Sequence, residues 1–542
     1  MAQRVSPLIP LQYKVFRLLW SVNQITILGN IIQGVAAAWL MTSLTTSPGM
    51  IALVQASTSL PVLLFSLTAG TLADGMDRRK VMLFAQIFML VVSIGLVAVA
   101  YLDMLTPWSL LAFTFMIGLG SAMTNPSWQA SIGDLVPREH VPEAVSLNGM
   151  GANLMRSTGP AIGGIIVATF GPASAFAINT LSYLPYIAAL LRWKPEVREK
   201  QLPREAFSLA LMAGLRYVAM SPNLLRVLLR GLLFGFGAIS IMALLPLITR
   251  SMLQGGPLQY GFLLGCFGLG AIAGGTVSAQ LRSKLGEEWL VRAAFVGFAA
   301  ACFILSESHS LWISLPAMAL AGACWLSALS LFNVTVQLSS PRWVVGRALA
   351  LYQMAVFGGF AIGSWFWGLN AEAFGLQVAL IGSGICLLIG AGFGLRFPMP
   401  TFNNLDLSPL NQFKEPHLLL DLQGRSGPIL IMIDYLIDAA DIAEFLTVMT
   451  ERRRIRRRDG ARQWALLRDM EHPDQWTESY HVATWNDYLR HNMRRTKADA
   501  EVSDILLRLH RGAQPPLVHR MIERQSAHSH GDVPLKTIVS GI

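Results

Sequence analysis

The sequence has little charge, little cysteine and, over most of its length, little histidine. Charged residues are 14% of the 542, against about 25% in a soluble domain. The four cysteines, Cys266, Cys302, Cys324 and Cys386, each sit inside an apolar run and none forms a CxxC pair. A disulfide framework and a cysteine zinc site are therefore not expected. Eight of the ten histidines fall after residue 400 with no metal-ligand spacing, and His528 and His530 read as a polar end segment. No Walker-type phosphate loop is present, so the chain is not expected to hydrolyse ATP. No nucleophile stands beside an evident base. No catalytic residue, cofactor or metal site is assigned. Met1 to Lys14 lacks the short apolar core and small-residue cleavage site of a secretory signal, so none is expected.

What the sequence has is apolar length. Hydrophobic residues make up 53% and the mean hydropathy is +0.49. The composition breaks near residue 400. The first 400 residues carry 23 Lys+Arg and 13 Asp+Glu, whereas the remaining 142 carry 19 of each. The net charge of +10 thus belongs to the apolar part and reads as membrane topology, and no nucleic-acid partner is expected. A membrane span needs roughly 20 apolar residues. Twelve stretches qualify, near 15–41, 48–70, 81–102, 107–130, 144–168, 173–193, 224–249, 258–281, 289–306, 310–337, 344–369 and 375–397. This predicts an all-α polytopic membrane protein with the lipid bilayer as a partner. Fourteen Lys and Arg residues fall in loops on one side, including Arg78, Arg79, Lys80, Arg138, Arg282 and Arg342, and only Arg250 on the other. By the positive-inside rule both termini and the tail are expected to be cytoplasmic, in a multi-pass membrane protein.

The spans divide six and six. The expected domains are an N-terminal bundle (1–193), a linker (194–223), a C-terminal bundle (224–397), a second linker (398–426), a soluble domain (427–525) and an end segment (526–542). In the first linker Phe207, Leu211, Leu215 and Val218 recur at helical spacing. They predict an amphipathic helix on the cytoplasmic membrane face, or else a stub of the seventh span. The halves also repeat. A shift of 204 carries Gly70, Arg78 and Lys80 to Gly274, Arg282 and Lys284, and Pro137-Arg138 to Pro341-Arg342. One offset across two loops points to two six-helix bundles rocking about a central site.

Twelve spans, this repeat and the loop Gly70-x-x-x-Asp74-x-x-x-Arg78-Arg79-Lys80 resemble the major facilitator superfamily over residues of about 10–397. The resemblance implies a cytoplasmic latch of Gly70, Asp74, Arg78 and Arg79. Asp74 would face a helix N-terminus in the other half, and the arginines would pair with cytoplasmic acids. The second copy has Ser278 in place of the Asp. Span five carries Asn153-x-x-Arg156-x-x-Gly159-Pro160-x-x-Gly163-Gly164, which resembles part of the fifth-helix signature of antiporters in that superfamily. The earlier glycines of the signature fall on Ser146 and Met155, and the stretch before Gly118 and Gly120 lacks the exporters' Arg. Together with Asn125-Pro126-Ser127-Trp128 and the charged tail, the chain resembles the transmembrane secretion effector branch, which includes enterobactin-exporter-like proteins. That implies export of a small molecule, a siderophore, drug or other secondary metabolite, by alternating access.

Polar residues deep in spans are costly, so they mark candidate sites. Asn30, Gln33, Arg156, Asn179 and Asn333 form the candidate substrate cavity. Arg156 lies 12 residues beyond Ala144, or ~18 Å into its span. Two readings stay open for it: an anchor for an anionic substrate, or structural glue to Asn153 and Asn179. No buried carboxylate is evident, since Asp103, Glu307 and Glu372 fall near the outer rim and Asp134 near the inner one. A proton remains the candidate coupling ion.

The tail alternates apolar strand-like and helical segments in the order β-α-β-β-α-β. This predicts an α+β ferredoxin-like domain. It resembles the dimeric α/β-barrel group, which makes self-association through this domain an expectation. The run Arg452-Arg453-Arg454-Ile455-Arg456-Arg457-Arg458 is flanked by Glu451 and Asp459 and reads as a solvated helix end. The alternatives to export are import, and a membrane-tethered enzyme or sensor whose activity lies in the tail.

Overall fold

The computed structural model describes residues 8–75, 77–194, 207–341, 343–400 and, within 407–523, all but 408, 409, 411, 412, 414 and 417. These residues form two compact units. One holds the long helices; the other combines the tail with 208–224 and 337–348.

The first unit contains α1 (Lys14–Leu44), α2 (Pro48–Gly75), α3 (Arg78–Tyr101), α4 (Pro107–Leu135), α5 (Val141–Phe170) and α6 (Pro172–Arg192). After the linker follow α8 (Pro222–Leu247), α9 (Pro257–Leu285), α10 (Glu287–Glu307), α11 (Leu311–Leu338), α12 (Val345–Phe374) and α13 (Leu376–Arg396). Ile248–Met252 extends α8 as a π-helical turn. Prolines at the starts of α4, α5, α6 and α9 fit positions where a helix has no N–H to lose. Among the described residues, eleven helices are long and apolar enough to cross a membrane. α5 is not among them, because Asn148, Asn153, Arg156 and its glycines dilute its hydropathy. The helix is nevertheless 30 residues long and packs along both α1 and α9.

The two halves fill their interiors differently. In the first, a hydrogen-bonded polar seam joins α1 to α6. In the second, Phe234 packs against Phe295, Phe298, Trp325 and Phe332 with ring centroids 5.0–6.4 Å apart. At the helix ends nearest the chain termini, the fully buried Arg230 pairs with Glu288. Glu288 also accepts from Arg292 and from the Met399 backbone N–H. This cluster ties α8, α10 and the stretch after α13 together.

In the second unit the tail contains β1 (Ile429–Leu436), α14 (Ile442–Asp459), β2 (Arg462–Arg468), β3 (Gln475–Val482), α15 (Trp485–Met493), α16 (Lys497–Leu509) and β4 (Leu517–Ile522). The antiparallel sheet has the order β2-β3-β1-β4. This is the ferredoxin-like arrangement expected from the element order. The second helical segment of that order is two helices, α15 and α16. Thr496 caps α16, its hydroxyl accepting from the Asp499 N–H while the Asp499 carboxylate accepts from the Thr496 N–H. β1 alternates buried and half-buried residues, so Ile429, Ile431, Ile433 and Tyr435 face the helices with Tyr480 and Val482.

The linker helix α7 (Phe207–Ala219) is separate from α8 and belongs to this second unit. Its Ala213, Tyr217 and Val218 are buried against protein. Tyr217 packs edge-on against Trp343, and the Arg458 guanidinium lies 5.0 Å from its ring. Arg216 donates to the Arg458 carbonyl, and Arg454 to the Met220 carbonyl. This face of the helix therefore meets the tail and not lipid, while Met212 and Leu215 stay exposed on the other side.

The arginine run is not a solvated helix end. Arg452, Arg456 and Arg458 are buried. Arg452 and Arg456 both reach the buried Glu478, and Arg458 pairs with Asp459 and Asp499. Residues four apart on α14 share a face, and here that face is the one turned to the sheet.

Candidate functional site

The site is built around α5. Pro160 has no N–H, so the Arg156 carbonyl loses its usual helical partner and the helix can bend there. Gly159 and Gly163 let α1 approach: a methyl group on Gly159 would meet Ile31 at 2.9 Å, and one on Gly163 would meet Val35 at 3.2 Å. Gly164 faces α9 in the other half, where a methyl group would lie 2.7 Å from the Cα of Gly261. Only backbone-to-backbone packing fits at this crossing. Below it, the Ser157 hydroxyl lies 2.9 Å from the carbonyls of both Asn153 and Gly268, one proton between two acceptors.

Arg156 is exposed and makes no hydrogen bond or ion pair among the described residues. At 100° per residue it lies roughly 160–200° around α5 from the exposed Leu154, Thr158 and Ile165. It stands between the face that meets α1 and the face that meets α9.

The other candidates are arranged differently. Asn179 donates to Gln33 and, at 2.9 Å, to the Tyr183 hydroxyl, which donates to Asn30 at 2.7 Å. Thr26 and Ser182 extend the network between α1 and α6. Asn179, Gln33 and Tyr183 are buried and satisfy one another. Asn333 is half-buried on α11 in the other half. Asn153, one turn before Arg156, is half-buried on α5.

In the loop motif, Gly70 and Asp74 fall in the last turns of α2, and their contacts lie outside the described residues. Arg78 pairs with Asp134 at 2.6 Å and donates to the Ala130 carbonyl, both on α4. Arg79 donates to the carbonyls of Leu190 and Leu191 and so caps the end of α6. These contacts lie within the first half.

At the helix ends remote from the chain termini, two further links join the halves. Arg250 donates to the Thr42 carbonyl and hydroxyl. Glu372 accepts from the Ser47 hydroxyl at 2.9 Å and the Gly49 N–H at 3.3 Å. Sequence reasoning placed Arg250 and Glu372 near this rim without pairing them, and it missed Ser157, Tyr183, Gly261 and Gly268. The small-residue spacing Gly261-x-x-x-Gly265-x-x-Gly268 was a readable signal for the seam.

Two six-helix halves joined through a glycine crossing define a membrane transporter of the major facilitator type. The chain belongs to the transmembrane secretion effector family, whose model matches residues 5–528. It is 26% identical over 367 residues to the MFS-type transporter YfiS of Bacillus subtilis, covering 64% of this chain and 84% of that one. It is 26% identical over 401 residues to the enterobactin exporter EntS of Citrobacter koseri, covering 71% and 94%. Among solved structures, it is similar to a bacterial homologue of the human lysosomal transporter Spinster in an inward-facing, unoccupied conformation. The TM-score is 0.56 at 15% identity, covering 70% of this chain and 95% of that one. The family is one of transporters, which sets aside the reading of a membrane-tethered enzyme.

Proposed function

We propose that the protein exports a small organic molecule, of the siderophore or secondary-metabolite class, from the cytoplasm across the inner membrane by alternating access. The observation that carries this reading is the seam between α5 and α9, where Gly164 meets Gly261 and Ser157 meets Gly268. Such a glycine crossing lets two rigid halves pivot with little steric cost, and the Arg250–Thr42 and Glu372–Ser47 links close the remote rim. The direction of transport is supported by the similarity to enterobactin exporters. The basic loops support a cytoplasmic location for both termini.

Arg156 serves as the substrate anchor. A guanidinium ~18 Å into a span costs at least ~2.5 kcal/mol unless it faces a wet interior. Its position opposite the apolar outer strip of α5 favours that interior. The substrate is therefore an anion or carries an acyl oxygen. Asn30, Gln33 and Asn179 support it by fixing α1 against α6, and Asn333 contributes from the second half. Asp74, with Gly70, is the conformational latch, and the coupling ion is the proton.

Everted vesicles test this reading. An imposed proton gradient is expected to drive accumulation of a catecholate siderophore, and Arg156→Ala to abolish it. Accumulation that ignores the gradient would reject proton coupling. Uptake into right-side-out cells, in place of export, would reject the direction.

A further inference from the structure

In the tail an open cavity of about 740 Å³ lies between the inner face of the sheet and helices α14, α15 and α16. Its polar wall includes Arg452, Arg456, Arg495 and Ser503, with Arg520, which donates to the Tyr488 hydroxyl, at its edge, and its apolar wall includes Ile431 and Tyr480. Arg452 and Arg456 are 6% and 4% exposed. Both lean on one carboxylate, Glu478, at 3.4 and 3.1 Å.

Arg495 has no carboxylate partner among the described residues. Its Nη2 donates to the Ser503 hydroxyl at 2.7 Å, and Arg452 Nη1 donates to the same oxygen at 2.9 Å. Two guanidinium groups thus converge on one hydroxyl. His491 adds no negative charge, since its Nε2 accepts from Arg456 at 2.9 Å. Asp499 is taken by Arg458 and Thr496. Asp504 lines the cavity as an exposed residue. Two guanidinium groups therefore share one buried carboxylate, and the half-buried Arg495 adds a further positive charge beside them. An excess of buried positive charge is costly unless a counter-charge enters. The Arg495 pKa is pulled down to about 10, first by burial and then by Arg452 and Arg456.

We propose that this cavity binds a planar organic anion, an aromatic carboxylate, with its carboxylate held between Arg452 and Arg495 at Ser503 and its ring in the apolar part of the cavity. Arginine forks match a carboxylate, and a cavity of this size accepts a drug-sized molecule. The site lies wholly within the second unit, and the proposal stands whether or not the export reading does.

The test is titration of the purified full-length protein with naphthoate, with neutral naphthalenemethanol and inorganic phosphate in parallel. Naphthoate is expected to saturate, and naphthalenemethanol and the Arg495→Gln variant to bind at least about tenfold more weakly. Ligand-free Arg495→Gln is expected to melt no lower than wild type, since it loses a repulsive charge; an Arg495 with a purely structural role would lower the melting temperature. If Arg495→Gln does destabilise the tail, Arg495→Lys carries the test. It keeps the charge without the fork, and intermediate affinity is expected. Three results overturn the proposal: no saturable naphthoate binding, unchanged affinity in these variants, or displacement of naphthoate by phosphate at equal or lower concentration.

Discussion

The Ser157 hydroxyl lies 2.9 Å from the Gly268 carbonyl and links α5 of the first half to α9 of the second. The same hydroxyl lies 2.9 Å from the Asn153 carbonyl within its own helix. The single proton can shift to Asn153 when the halves part, so separation leaves no buried donor without an acceptor. Ser157→Ala is expected to alter the balance between the open and closed seam while sparing insertion. Accessibility of a cysteine placed at Ala161 reads that balance, and unchanged labelling would show that the bond carries no bias.

Gly164→Val places its side chain where a first carbon already meets the Gly261 Cα at 2.7 Å. Overpacking of this kind costs about 1–3 kcal/mol. Because the clash exists only with the halves together, the variant is expected to expose the α5–α9 seam and cut transport about tenfold or more. Wild-type transport at equal expression would count against the seam as a moving surface.

Arg156 separates two roles by charge and shape. Arg156→Lys is expected to retain insertion and weaken transport of anionic substrates, because it keeps the charge and loses the planar fork. Arg156→Ala is expected to abolish transport of anions and spare neutral compounds. Loss of both alike, tracking a lowered detergent melting temperature, would assign Arg156 to structure.

Tyr183→Phe removes one hydroxyl and strands two partners, the Asn30 carbonyl oxygen and an Asn179 N–H. The expected cost is about 1–3 kcal/mol, read as a lower melting temperature with all substrates affected equally. A selective change for one substrate would place this network in the binding site.

The tail's pH response follows from His491 and Glu478. Burial, and then Arg456, hold the His491 pKa well below its usual 6.5. Its neutral form therefore contributes stability that is complete above about pH 6.5 and is lost as pH falls below that value. Burial works to raise the Glu478 pKa, but Arg456 and Arg452 win and hold it at about 2, so its contribution persists to about pH 4.5 and is lost as pH falls toward 2. Hydrogen exchange in the full-length protein is expected to show the tail loosening between pH 7 and 5, before the carboxylate titrates. His491→Gln is expected to flatten that window. A variant that loosens as the wild type does would move the cause elsewhere.

The helices of the membrane unit were legible because apolar length and loop charge are properties of the chain itself. Twelve long helices follow among the described residues, and α5 is less apolar than a typical span because Asn148, Asn153, Arg156 and its glycines interrupt it. The ferredoxin-like order was legible from alternating segments, whereas the break before α16 depends on the reciprocal Thr496–Asp499 bonds. The arginine run misled because composition alone favours solvation for seven residues holding six arginines. Glu478, more than twenty residues away in sequence, accepts two of those arginines through strand β3.

The sequence by itself determined that this chain spans a membrane, that its two halves repeat, that its basic loops share a side and that a soluble α+β domain follows. Those features rest on local composition and on spacing, which need no tertiary contact. Only the tertiary structure decided that Asn179 bonds Gln33 directly and Asn30 through Tyr183, that Arg156 has no hydrogen-bond partner among the described residues, and that Gly164 meets Gly261. It also decided that Tyr217 and Arg458 belong to one packed unit and that two arginines share one buried glutamate. Each of these is a pairing between distant segments. The chain's polar groups have many chemically equivalent partners, and only the packed backbone brings one of them within hydrogen-bonding distance.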